Sequence, residues 1–257
     1  MSDLEIIQVP LLRDNYGYLL VDRHSRKTAM IDPSEAEPVL KLLKSHKLKL
    51  DFILNTHHHP DHTGGNEILK GETACEIICS SFEKSKIPFA DKGVNEGDKI
   101  NIGKTQLIVM ELPGHTIGAL AFYAPSEDAV FCGDTLFSLG CGRLFEGTAA
   151  EMWNSLRRLA DLPRRTKIYC GHEYTEGNSR FALSLDPHNQ ALRYYCHRVA
   201  NLRKEGLSTV PSTLETELEA NPFLRAPLLI NELGLAPETS PQEAFAEIRK
   251  RKDMFIV

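Results

Sequence analysis

Apolar residues in the first two thirds of the chain fall in short runs, several of them unbroken, with turn-forming residues between. Runs at 4–9, 16–21 and 27–31 predict three opening strands, divided by Arg13-Asp14-Asn15 and by Asp22-Arg23-His24-Ser25. Further strands are predicted at 51–54, 76–79, 99–102, 105–111, 120–124, 129–132 and 167–170. Between them the period changes. Residues 35–47 carry Val39, Leu40, Leu42 and Leu43 at helical spacing, after a start signal at Asp32-Pro33-Ser34. Helices are also expected up to about residue 70 and over 149–159, whereas 82–94 shows neither period and is expected to be irregular. Beyond residue 172 strand signals stop, and 180–185, 189–205, 211–220 and 241–252 all read as helices. The pattern predicts a mixed α/β domain over 1–172 and a helical domain over 173–257, with no internal repeat.

Composition sharpens the class. A chain of 257 residues, 42% hydrophobic and 25% charged, has the make-up of a soluble globular protein with material for a large core. The net charge of -5 argues against a general nucleic-acid binder, and no apolar run is long enough to span a membrane. The start, Met1-Ser2-Asp3-Leu4-Glu5, has neither the basic nor the apolar segment of a secretory signal. Six cysteines lie scattered without a C-x-x-C pair, several inside apolar runs, which predicts reduced, mostly buried thiols and a cytoplasmic setting. A monomer acting on a small molecule, with no nucleic-acid or membrane partner, is expected.

The densest chemistry is Thr56-His57-His58-His59-Pro60-Asp61-His62, which begins where the strand at 51–54 should end. In extended backbone, side chains two apart point the same way, so His57 and His59 converge while His58 faces elsewhere. Pro60 holds residue 59 extended and suits the first turn of a helix, which carries Asp61 and His62 off at another angle. That geometry predicts two ion positions. Three later apolar runs each end in a metal-capable side chain beside glycine: 107–112 leads through Pro113-Gly114 to His115, 129–132 through Gly133 to Asp134, and 168–170 through Gly171 to His172. Strand ends of a layered α/β core tend to share one rim, so loops distant in sequence can meet there. Imidazoles and carboxylates without thiolate suit two divalent ions, zinc above all, with iron or manganese acceptable. Such an ion pair can polarise an acyl oxygen and supply hydroxide near neutral pH. His24, His46, His188 and His197 lie outside these loops and are expected at the surface or in packing.

The run from Thr56 to His62 matches the T-H-x-H-x-D-H signature of the metallo-β-lactamase superfamily, and within it the chain resembles the glyoxalase II family of hydroxyacylglutathione hydrolases. The likeness extends to Gly133-Asp134-Thr135-Leu136-Phe137, Gly171-His172-Glu173-Tyr174-Thr175 and Arg249-Lys250-Arg251-Lys252-Asp253, and so covers essentially the whole chain. It implies an α/β fold, a four-layer αββα sandwich followed by a helical domain. It implies His57, His59 and His115 at one metal, Asp61, His62 and His172 at the other, and Asp134 bridging. Hydroxide held by the pair would be the nucleophile, with Asp61 and Asp134 as the catalytic carboxylates. The implied reaction is hydrolysis of S-D-lactoylglutathione to D-lactate and glutathione, the second step of methylglyoxal disposal. Glutathione contacts are implied for Arg143, Phe145, Tyr174, Arg249 and Lys252, the basic groups pairing the glycine carboxylate and the tyrosine bonding the peptide backbone. Two positions depart from the family pattern. Phe145 stands where animal members have tyrosine, and Arg143 replaces a family lysine, keeping the charge while changing its geometry.

Rival readings fit less of the chain. A persulfide dioxygenase of the same superfamily, with a single iron, would leave much of the Asp61, His62 and His172 set without work. A β-lactamase or lactonase accords poorly with the helical tail. A non-catalytic metal-binding interaction protein on this scaffold would be expected to have lost ligands, and none is missing.

Overall fold

Strands β1 (Leu4–Leu11), β2 (Asn15–Asp22) and β3 (Thr28–Ile31) pair antiparallel, with Leu4 opposite Asp22 and Tyr18 opposite Ile31. All eight positions of β2 are buried, as a strand requires when both faces of its sheet are covered. Helix α1 (Ala36–His46) returns the chain to β4 (Phe52–Leu54), parallel to β3. Helices α2 (Pro60–Thr63) and α3 (Asn66–Thr73) lead on to β5 (Glu76–Ser80), and β6 (Lys92–Val94) forms the parallel edge. One face of this sheet packs on α1 and α3 through Leu19, Val21, Met30, Val39, Leu43, Ile53 and Leu69. A second sheet is the antiparallel meander β7 (Lys99–Ile102), β8 (Thr105–Glu111), β9 (Leu120–Ala124) and β10 (Ala129–Gly133). Tyr18 of the first sheet meets Phe131 of the second, ring centroids 5.5 Å apart.

This computed structural model describes residues 3–255; Met1 and Ser2, part of the amino-terminal reading, lie outside the described residues. Two expectations change in this region. Residues 82–94 end in β6, whose pairing (Ile78 with Lys92) supplies what the local sequence does not announce. Asp32-Pro33-Ser34 does not cap α1, since the N-cap is Glu35 and Asp32 takes a left-handed φ of 47°. The Asp32 carboxylate is used elsewhere.

Contacts group the chain into two units, Met1–Glu111 with Thr116–Gly133, and Leu112–His115 with Asp134–Val257. The boundary expected from sequence, between residues 172 and 173, falls inside the second unit. The second unit holds a small hairpin, β11 (Leu136–Phe137) and β12 (Gly140–Cys141), too short to carry a readable period. Helix α4 (Ala149–Ala160) starts on a capping box of Thr148 and Glu151. After β13 (Lys167–Cys170), α5 (Thr175–Leu185) begins earlier than residue 180, because Gly177 and Asn178 mask its first turns. Helix α6 (Gln190–Lys204) follows, and then a strand where none was expected: β14 (Ser212–Thr213) pairs antiparallel with β13. Thr213 then caps α7 (Leu214–Ala220), which shortens the helix expected from 211. Ser240 and Glu243 form a second capping box at the head of α8 (Pro241–Met254).

Aromatic packing joins these helices. Trp153 of α4 lies 5.9 Å from Phe245 of α8, which in turn meets Phe223 at 6.0 Å. The fully buried Glu217 of α7 accepts the Leu139 backbone N–H and the Asn221 amide, tying the β11–β12 turn to α7. Burial pushes its carboxyl above the usual range. All six cysteines are free thiols, five of them buried. Burial pushes Cys79 up to about 12 and Cys141 up to about 11, so neither offers thiolate at neutral pH. No helix among the described residues is long and apolar enough to cross a membrane.

Candidate active site

The carboxyl end of β4 hands the chain directly to the histidine loop, the position at which parallel strands present ligands. Asn55 bonds back to the sheet, its N–H to Ile78 O at 3.0 Å, while its amide donates to His62 O at 3.1 Å. Asp32 organises the loop from behind. It accepts the Thr56 N–H at 2.8 Å and the Thr56 hydroxyl at 2.6 Å. That hydroxyl proton is then spent, so toward His57 Nδ1, 3.0 Å away, Thr56 Oγ1 can only accept. His57 therefore carries its proton on Nδ1 and a lone pair on Nε2. His62 is set the same way, Nδ1–H donating to Asp32 Oδ2 at 3.1 Å, with Nε2 turned to Asp61 Oδ2 at 3.6 Å.

The remaining side chains of the loop follow the sequence reading. Pro60 opens α2 with His59 extended before it at ψ 143°. His57 Nε2 lies 3.1 Å from His59 Nδ1, and the His57 and His62 ring centroids are 4.1 Å apart. Asp61 is held by Asn15, whose amide donates to its carbonyl at 2.9 Å and to Oδ2 at 3.1 Å, and by the Ser34 hydroxyl. His58 turns away to Glu83 Oε1 at 3.1 Å, a fully buried carboxylate that also takes the Gly118 N–H.

The second unit brings together the other expected residues. His115 donates Nδ1–H to the Arg143 carbonyl at 2.8 Å; a carbonyl can only accept, so the lone pair again sits on Nε2. His115 Nε2 and His172 Nε2 face one oxygen, Asp134 Oδ2, at 3.5 and 3.3 Å. Gly142 is required here, because a Cβ would stand 1.9 Å from the Asp134 carbonyl oxygen. Tyr174 stacks flat on His172, centroids 4.5 Å apart, and Phe145 sets its ring edge-on to His115 at 5.2 Å. A cavity of about 540 Å³ opens beside them, lined by His115, Asp134, Arg143, Phe145, Tyr174 and Lys252, with Arg249 in its wall. Burial, and then the charges of Arg249 and Arg143, push the Lys252 ammonium down to about 8.

These donors fit a divalent metal. A lone pair on His62 or His115 facing a carboxylate oxygen at 3.5–3.6 Å is repulsive unless a cation lies between. The spacing exceeds the roughly 2.7–2.9 Å of a charge-assisted hydrogen bond. It matches the separation of roughly 3.3 Å between two ligands that each stand about 2.0–2.1 Å from a tetrahedral ion. Asp32, Glu83 and Gly142 are absent from the sequence reading of the site. Asp32 at least carried a signal: it ends the apolar run 27–31 just as His115, Asp134 and His172 end theirs.

Residues 13–172 match the model of the metallo-β-lactamase superfamily, and residues 173–255 match that of the hydroxyacylglutathione hydrolase C-terminus. A hydroxyacylglutathione hydrolase of Methylococcus capsulatus is 49% identical over 254 residues, covering 98% of this chain and 99% of that protein. The chain belongs to the hydroxyacylglutathione hydrolase family. Another hydroxyacylglutathione hydrolase, from Rhodospirillum rubrum, is 49% identical over 256 residues, with 99% and 100% of the two chains covered. The solved BLEG-1 B3 metallo-β-lactamase shares the fold at a TM-score of 0.68 and 22% identity, covering 86% of this chain and 99% of that one. The αββα sandwich with a helical carboxyl-terminal region, implied by the sequence, is the fold of this hydroxyacylglutathione hydrolase family member.

Proposed function

We propose that this chain hydrolyses S-D-lactoylglutathione and related S-2-hydroxyacylglutathiones, releasing glutathione and the 2-hydroxy acid. The observation that carries the reading is the cavity of the second unit, where the donors His115 and Asp134 share walls with cationic groups and aromatic rings, Phe145 and Tyr174 among them. We assign His57, His59 and His115 to one divalent ion, Asp61, His62 and His172 to a second, and Asp134 to both. Zinc suits this donor set, and iron or manganese would accept the same ligands. When bound, such a pair supplies Lewis acidity toward the acyl oxygen and brings the pKa of water toward neutrality.

The chain's own residues do the rest. Asp32, Thr56 and the Arg143 carbonyl keep protons on Nδ1 of His62, His57 and His115, leaving each Nε2 free to coordinate. Asp61, braced by Asn15 and Ser34, and Asp134 are the carboxylates of the reacting centre. Arg143, Arg249 and Lys252 pair the glycine carboxylate of glutathione, and Phe145 and Tyr174 flank the tripeptide. Phe145 offers packing without a hydroxyl. The leaving thiolate is stable enough that no protein general acid is assigned.

Residues 1–172 then form the catalytic domain, which also supplies Arg143 and Phe145, and 173–257 the helical substrate-binding domain, a division supported by the border between the two matched family models. We place the reaction in the cytoplasm, where free thiols persist, and assign it to a monomer, since one chain supplies every donor and contact. The test is hydrolysis of S-D-lactoylglutathione, followed by loss of thioester absorbance, with metal content measured on the same sample. Turnover that accompanies about two ions per chain and is abolished by chelation is expected. A single iron with oxygen consumption on glutathione persulfide would overturn the reading.

A further inference from the structure

The cavity beside His115 and Asp134 carries more charge than the glycine carboxylate of a glutathione thioester uses. Besides Arg143, Arg249 and Lys252 it is lined by Glu173 and, from the first turns of α5, by Glu176 and Arg180. Glu173 is engaged by the protein. Its Oε2 accepts the Thr209 N–H at 2.8 Å and its Oε1 the Thr209 hydroxyl at 2.6 Å, and only 7% of its side chain is exposed. Glu176 and Arg180 are held differently. They stand one helical turn apart, on the same face of α5. Glu176 Oε1 lies 3.9 Å from Arg180 Nη2, well beyond the roughly 2.7–2.9 Å of a charge-assisted hydrogen bond. The two side chains are 60% and 56% exposed. An exposed pair this loose binds its own partners weakly, so both groups can exchange for the charges of a ligand. Both also border a second cavity of about 340 Å³ lined by α5 and α6, which leaves them room to turn.

We propose that Glu176 and Arg180 receive the zwitterionic head of the γ-glutamyl residue, Glu176 taking the α-ammonium and Arg180 the α-carboxylate. The inference deepens the proposed function and rests on it. Near neutral pH a glutathione thioester bears two carboxylates and one ammonium. With the glycine carboxylate on Arg143, Arg249 and Lys252, the amino-acid head remains, a cation and an anion borne on one carbon. A carboxylate and a guanidinium presented side by side are the complement of such a head, each charge meeting its opposite. Lys252 Nζ lies 3.4 Å from the Gly177 carbonyl, so the groups assigned to the glycine end also reach the first turn of α5. The tripeptide then lies bent, with both ends toward α5 and its cysteine toward His115 and Asp134. Such a subsite selects glutathione over thiols that share only its cysteinyl-glycine half.

The experiment measures kcat and KM of the metal-loaded enzyme on three S-D-lactoyl thioesters. The first is that of glutathione. The second carries glutaryl in place of γ-glutamyl and so lacks the ammonium. The third carries γ-aminobutyryl and lacks the α-carboxylate. Wild type should lose about three- to tenfold in kcat/KM on each analogue, mainly through KM, the size of one solvent-competed charged contact. Glu176→Gln should lose a similar factor on the glutathione thioester and no longer distinguish it from the glutaryl analogue. It should still penalise the γ-aminobutyryl thioester. Arg180→Met should show the converse pattern. Both positions are more than half exposed, so metal content and circular dichroism should match wild type in each variant. Wild-type enzyme that turns over all three thioesters equally would overturn the subsite alone, as would variants that keep the wild-type penalties. A KM raised by one common factor on all three in Arg180→Met would also overturn it, moving that arginine to the glycine carboxylate. Absence of turnover on every thioester would overturn the hydrolase reading and the subsite with it.

Discussion

The two groups of donors are held by different means. In the first unit His57, His59, Asp61 and His62 lie within one short stretch and are aimed by side chains behind them, Asp32, Thr56, Asn15 and Ser34. In the second unit His115, Asp134 and His172 come from distant segments, and His115 is aimed by a backbone carbonyl and a glycine-permitted close approach. The first arrangement is sensitive to changes of chemistry at single side chains. The second is sensitive to displacement of the main chain.

The largest expected effect strikes where the second group converges. Asp134→Ala removes the oxygen that both His115 and His172 face, and kcat should fall by at least about 10²–10³-fold with loss of bound metal, as measured by steady-state kinetics and elemental analysis. Equal turnover with metal stripped would break the scheme. The contrast itself is tested by pairing Asp32→Ala with Gly142→Ala. Asp32→Ala should weaken zinc binding by about 10–100-fold, because His62 loses the partner that sets its tautomer and the Thr56 hydroxyl behind His57 loses its acceptor. Gly142→Ala should lower zinc affinity and thermal stability together, since its Cβ must push the backbone off Asp134. If Gly142→Ala keeps wild-type stability, the distinction between the two groups is lost.

Lys252 gives a smaller effect with a pH signature. Its ammonium is charged below about pH 8, so attraction for a carboxylate is present there and fades as pH rises through that value. Wild-type KM should climb above pH 8, whereas Lys252→Met should start with a KM about tenfold higher and show no such climb. A pH-independent wild-type KM would remove Lys252 from the carboxylate site. The smallest change is expected from Phe145→Tyr. The ring is 62% exposed, so a restored hydroxyl adds at most one solvent-competed hydrogen bond. KM should move by about threefold or less.

The sequence reading succeeded where the signal was local. Alternating or unbroken apolar runs located most strands, and Pro60 after His59 foretold the turn into α2. It failed where a partner far along the chain decides the outcome. β6 and β14 exist because neighbouring strands pair with them, and Asp32 left the helix start because Thr56 and His62 claim its carboxylate. The basic run 249–252 reads as a charged patch, yet Arg249 falls in helical register with Phe245 and Ile248 and turns inward. That register was present in the spacing. The Cys141 carbonyl that accepts from Arg249 was not, because it lies 108 residues away.

Trp153 is the chain's one tryptophan, nearly buried against Phe245. Intrinsic emission therefore comes from a single indole lodged where α4 meets the helix that bears Arg249. Loosening of α8 can be watched optically, with no label, in the same cuvette that records zinc uptake.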